Sequence, residues 1–136
     1  MFFDAEVIAA STTHRRNLPT LVTMRLTYPR MIHSEFMTHR VFSRNAASSR
    51  AIPTKKLLAK PTYIPTFSAN QRGMQAGEEL HPEVQSEIRS MWVQLADITR
   101  DHVEKMAELG GHKQWVNRPL EWFSTITVIV TSTDWG

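Results

Sequence analysis

Ser43, Arg44, Asn45, Ser48, Ser49 and Arg50 crowd hydroxyls, an amide and guanidinium groups into eight residues, with His39 and Arg40 just ahead of them. Each of these groups donates hydrogen bonds, and donors packed so densely suit phosphate oxygens, which accept several at once. Charge along the chain agrees. Residues 1–60 hold 10 Lys and Arg against 3 Asp and Glu, whereas the remainder holds 6 against 10, so the net charge of +3 conceals a basic first half. An anionic ligand at the 39–50 stretch is the chemistry these residues favour: a nucleotide, a phosphorylated cofactor or a nucleic acid. A solvated basic face involving Arg40, Arg44 and Arg50 is the plainer reading. A nucleic-acid surface fits less well, because the basic cluster is short and few aromatics accompany it.

Other chemistries find little support. The chain has no cysteine, which excludes disulfides and thiolate catalysis. His33 and His39 lie six apart, about 600° of helical rotation, and so do not share a helix face for a metal. His14, His81, His102 and His112 show no ligand spacing, no glycine-rich phosphate loop or zinc-hydrolase helix motif occurs, and Ser48 has no evident His or Asp partner.

The elements that must position the stretch follow from periodicity. Residues 2–10 alternate apolar and polar and predict a half-buried strand; residues 20–28 alternate again, and the polar connection from Ser11 to Pro19 makes the two a hairpin. Pro29 is suited to open a helix whose buried stripe would be Ile32, Phe36, Met37 and Val41. A short basic helix is expected over 54–60, between Pro53 and Pro61, then an ordered loop over 61–79. Pro82 starts the longest helix, with apolar residues Val84, Ile88, Met91, Leu95, Ile98, Met106 and Leu109 at steps of three or four around His102, and Gly110-Gly111 ends it. Tyr63, Phe67 and the tryptophans are expected to pack rather than to stack on a ligand. Residues 112–123 predict a further short helix limited by Pro119, and the β-branched run Thr125 to Thr131 a third strand at which the chain stops, uncovered. The fold class is α+β, an antiparallel sheet in one layer and helices in the other, within a single domain spanning 1–136. The first residues lack a signal-peptide pattern and no run of 18 apolar residues occurs, so a cytoplasmic protein without a membrane span is expected.

The run from Thr38 to Arg50 resembles the signature of the flavin-dependent thymidylate synthases, in which Arg-His-Arg is followed by seven residues and a serine, with an asparagine and an arginine at fixed places. His39 and Arg40 match its second and third positions, Asn45 the asparagine, Ser48 the closing serine and Arg50 the arginine. Residues 26–30, 73–80, 117–121 and 127–135 resemble a divergent, often phage-borne branch of the family, so the likeness covers nearly the whole chain. The resemblance implies methylation of dUMP to dTMP, with methylenetetrahydrofolate as carbon donor and FAD, reduced by NADPH, as hydride carrier, in a homotetramer with sites shared between subunits. No cysteine nucleophile is needed in that chemistry. By position, Thr38, His39, Arg40 and Asn45 would contact FAD, while Glu35, Ser48, Ser49, Arg50 and Arg118 would contact dUMP. Thr38 stands where the family has its first arginine, Ala46 where a glutamate is usual and Ala51 where a tyrosine is usual. The family also continues past the position of Gly136 with more flavin-binding residues and an arginine that promotes uracil ionisation. The chain is therefore expected to be an N-terminal portion, either a fragment of a longer protein, which would be an FAD-dependent methyltransferase, or a natural truncation. The alternative is a catalytically inactive nucleotide- or nucleic-acid-binding module on the same scaffold.

Overall fold

The computed structural model describes residues 3–15 and 17–135. Phe2, where the first alternating run begins, Arg16 of the polar connection and the terminal Gly136 lie outside the described residues.

Strand β1 (Asp4–Ser11) pairs antiparallel with β2 (Leu21–Pro29), as the alternation predicts. A short 3-10 turn (Arg30–Ile32) and the single-turn helix α1 (His33–Phe36) follow, then β3 (Ser43–Ala46), α2 (Thr54–Leu58), the long α3 (Pro82–Glu108), α4 (Lys113–Val116), a second 3-10 segment (Arg118–Phe123) and β4 (Thr125–Ser132). The sheet order is β1-β2-β4-β3, antiparallel throughout. The last strand in sequence is therefore interior, covered along both edges: Val128 faces Leu26 on one side and Ala46 on the other. Its alternation is expressed fully, with Ile126, Val128, Val130 and Ser132 buried, and Val128 and Val130 completely so. Ile126, Val128, Val130 and Tyr28 form the sheet's core, closed by Leu26, Phe36, Phe42 and Trp135. On the opposite face, threonine hydroxyls meet across strands, Thr23 to Thr131 at 2.8 Å and Thr27 to Thr127 at 2.9 Å.

Three expectations are corrected. The helix after Pro29 does not extend to Val41. It stops at Phe36, because the Arg44 guanidinium donates to the carbonyls of Phe36 (3.2 Å), Met37 (3.2 Å) and His39, satisfying acceptors a continuing helix would have used. Of the predicted stripe only Phe36 joins the core; Ile32, Met37 and Val41 are exposed. Strand β1 is not half-buried but exposed along its whole length, since it is an outer strand with no layer laid over it. Nor do the helices form one layer on the sheet. They have their own core of Leu57, Val103, Val116 and Leu120, and α3 meets the rest of the chain mainly through the 118–123 segment, α2 and α4.

The long helix begins at Pro82 with the His81 ring accepting from the Glu83 amide (3.4 Å), and it ends where Gly110 turns with φ +90. Gly111 must lack a side chain, because a Cβ there would lie 2.6 Å from Val116 Cγ2. The 61–79 loop is ordered by tertiary contacts: the Gln85 side chain pairs with both backbone groups of Phe67, and Trp92 Nε1 donates to the Tyr63 carbonyl at 2.8 Å. Tyr63, Phe67, Trp92 and Trp135 pack as expected, whereas Trp115 and Trp122 are exposed. Among the described residues no helix is long and apolar enough to cross a membrane.

The interior position of β4 predicts unequal sensitivity to truncation. Val128→Ala should lower unfolding free energy by about 2 kcal/mol through lost burial and a residual cavity. Val7→Ala on the exposed outer strand should change it by less than about 0.5 kcal/mol. Urea denaturation of the two variants checks both.

Candidate functional site

Strand β2 ends at Pro29, paired with Thr125 at the start of β4, and the next amide, of Arg30, donates to the Ser124 carbonyl at 2.9 Å. This junction fixes where the Arg30 side chain leaves the backbone, and the following turn carries His33 and Ser34 beside it. Across from them runs the segment 47–53. It is held by one fully buried side chain: Asn117 Nδ2 donates to the carbonyls of Ser49 and Ile52, both at 2.8 Å, and its Oδ1 accepts from Thr54 Oγ1 at 2.6 Å. Arg118 and Glu121 come from the 3-10 segment that follows.

Between these elements lies a pocket of about 440 Å³, whose walls include Arg30, His33, Ser48, Arg118, Glu121 and Trp122. Glu121 is its internal acceptor. One carboxylate oxygen takes both the Ser49 hydroxyl and Arg118 Nη1 (3.2 Å), while Arg118 Nε donates to the Gln114 carbonyl at 3.2 Å. A second pocket of about 350 Å³, lined by His33, Met37, Arg44, Asn45 and Ala46, adjoins the first and shares His33 and Ala46 with it.

Electrostatics follows from this crowding. Burial lowers the Arg30 pKa, opposed by the charge of Glu121 and by Tyr28. Burial likewise raises Tyr28, against the pull of Arg44 and Arg30. His33 is pushed below its ordinary value by burial first and then by the Arg30 and Arg44 charges; its Nδ1 lies 2.5 Å from the Tyr28 hydroxyl. A neutral His33 suits a wall already carrying two arginines.

The residues singled out from sequence divide into three groups. Ser48 and Arg118, 70 positions apart, meet in the larger pocket, and Asn45 lines the smaller. Ser49 is buried behind the larger pocket with its hydroxyl on Glu121. Glu35, Thr38, His39, Arg40 and Arg50 are exposed and line neither: Thr38 Oγ1 donates to the Glu35 carbonyl (2.7 Å), Glu35 accepts from Ser34 Oγ (2.9 Å), and the His39 ring lies 6.3 Å from Phe42. Among the described residues Arg40 has no side-chain partner, and no group of three or more His, Cys, Asp and Glu is placed to hold a metal.

Residue-by-residue reading missed Arg30, Glu121, Trp122 and His33 as site residues. Only Glu121 left a signal, its opposite charge three positions after Arg118 in a helical segment. Arg30 and His33 gave none, because their place depends on how β2 meets β4.

The structure of the UMP/dUMP methylase PolB from Streptomyces cacaoi, bound with 5-Br UMP, is similar with TM-score 0.76 at 11% sequence identity, over 96% of this chain and 72% of that one. The same enzyme bound with 5-Br dUMP is similar with TM-score 0.65 at 12% identity, over 83% of this chain and 49% of that one. At such identities the likeness is one of fold. No family model matches the sequence, and no curated protein does.

The lowered pKa of His33 gives the fold a pH dependence. A group depressed in the native state stabilises it above its unfolded value of about 6.5, and that contribution is lost as pH falls through the native value. Thermal melts from about pH 7 to about pH 5 should show stability falling, and His33→Gln should flatten that part of the profile.

Proposed function

We propose that this chain is the nucleotide-binding part of a flavin-dependent thymidylate synthase-like enzyme, methylating dUMP to dTMP with methylenetetrahydrofolate as carbon donor and FAD, reduced by NADPH, as cofactor. The observation that carries this reading is the convergence of Ser48 and Arg118 on one pocket beside a third donor, Arg30. A nucleotide monophosphate needs such a set: several donors for the phosphate and an aromatic wall, here Trp122, beside the ring. The PolB likeness supports the substrate class, because its solved complexes hold brominated UMP and dUMP on this fold.

The donor chemistry also fits a flavin. The Asn45 amide lies in the pocket next door, and the exposed, unpaired Arg40 guanidinium with His39 beside it matches an anionic diphosphate arriving at the surface. Bound FAD would supply the hydride; the residues of this chain bind and orient. Shared walls at His33 and Ala46 would set the two ligands side by side, as transfer of a methylene carbon and its reduction by hydride to a methyl group require.

A homo-oligomer belongs to the same reading. The α3 residues Met91, Leu95 and Ile98 are 61%, 57% and 58% exposed, while the side of the helix turned inward carries Ile88, Trp92, Ala96 and Val103. At 27 residues, or about 40 Å, this helix presents a long apolar stripe that a second copy would cover.

The absorbance spectrum of the protein with added FAD, before and after dUMP, tests the function. A bound-flavin spectrum that changes on adding dUMP is the expected result. Free flavin in the presence of folded protein would overturn the enzyme reading, and oligonucleotide binding with a steep salt dependence would then mark a non-catalytic module. Light scattering tests the assembly: a multiple of the chain mass is expected, reduced by Leu95→Glu, and a monomeric parent protein would refute it.

A further inference from the structure

The arginines around the pocket are not equivalent. Arg44 is spent on three backbone carbonyls at the end of α1. Arg118 is committed to Glu121 and to the Gln114 carbonyl. Arg30 is different. Its one side-chain hydrogen bond among the described residues is a long one, 3.3 Å, from Nη1 to the Ala47 carbonyl, and its Nε is buried with no acceptor at all. A guanidinium has five donors in a rigid plane, so most of the capacity of this one is unused although much of the group is removed from water. Desolvated donors left open in a pocket wall bind an anion more strongly than the same donors in bulk solvent.

Neighbouring groups sharpen the contrast. Glu121 already occupies Arg118, a pocket donor that would otherwise be open to an incoming anion, together with the buried Ser49 hydroxyl behind it. It makes no hydrogen bond or ion pair to Arg30, although the two side chains line the same pocket. His33, held neutral, adds no competing cation. The pocket thus has one paired arginine and one unpaired arginine, with the Ser48 hydroxyl in the same wall.

The geometry points to Arg30 as the principal anchor of the ligand's phosphate, with Arg118 a secondary donor while it remains on Glu121. The inference rests on the nucleotide-binding reading above and adds to it a residue outside the signature stretch. The ligand class is a nucleoside monophosphate, and the phosphate rather than the base carries the interaction.

Trp122, exposed in the pocket wall, provides a fluorescence readout. Wild-type protein and the variants Arg30→Gln, Arg30→Lys and Arg72→Gln are titrated with dUMP, deoxyuridine and inorganic phosphate. Circular dichroism and thermal melts establish that each is folded. The expected result is at least a tenfold loss of dUMP affinity in Arg30→Gln, partial recovery in Arg30→Lys, no change in Arg72→Gln, which removes one exposed charge from the 61–79 loop, and no effect of any variant on deoxyuridine. A folded Arg30→Gln that binds dUMP as the wild type does would overturn the assignment. If Arg30→Gln does not fold, Arg30→Lys decides: its shorter, non-planar head must weaken dUMP more than deoxyuridine, and equal effects on both would refute an anchoring role. Should the wild type bind inorganic phosphate in an Arg30-dependent way but not dUMP, the nucleotide reading fails while the anion site stands. Binding of neither ligand removes both.

Discussion

The site depends on the side-chain amide of Asn117. Fully buried, it uses both faces of its polar group, two N–H donors toward the 49–52 backbone and one oxygen toward Thr54. The segment 47–53 contributes no regular structure until α2 begins, and without this amide the carbonyls of Ser49 and Ile52 would lose the partner it supplies, at about 1–3 kcal/mol for each left buried and unpaired. Asn117 also immediately precedes Arg118. One residue therefore joins the serine-rich segment to the helical segment that faces it across the pocket. The pocket exists because these two stretches, far apart in sequence, are stitched together behind its walls.

In the pocket wall the charges are arranged economically. Glu121 gathers one hydroxyl and one guanidinium, and the pair it makes with Arg118 is partly open to solvent. Pairs of that kind contribute no more than about 1 kcal/mol, so exchange of the carboxylate for a ligand oxygen is inexpensive. Arg30, deeper and unpaired, has no such exchange to make. The difference between the two arginines comes from burial and neighbours, not from residue type.

The two cores of the molecule have separate origins. The sheet's core is built on the alternation of β4 and closed by the aromatic residues Phe36, Phe42 and Trp135. The helical core is built on small and branched residues of α3 packed against α2, α4 and the 118–123 segment. Because α3 turns Ala96 and Val103 inward, its larger apolar residues are left outside, and the helix has more apolar surface than this chain alone covers.

Much of this was legible in the residues themselves. Alternation located β1, β2 and β4, and Pro82 and the glycine pair bounded α3, because each of these signals is local: a two- or 3.6-residue period, a missing N–H, a backbone turn only glycine accepts. Strand β3 was not legible, since Ser43–Ala46 is polar and becomes a strand only by pairing with β4. The exposure of β1 and of the α3 stripe was equally hidden, because a pattern says which side of an element is apolar and not what lies against it. The site divided in the same way. The sequence determined which donors the chain possesses; the tertiary structure decided that Ser48 and Arg118 share a pocket, that Arg44 clamps the end of α1, and that Arg30 stands open. Those outcomes depend on contacts between segments distant in sequence, and no local period or propensity encodes them.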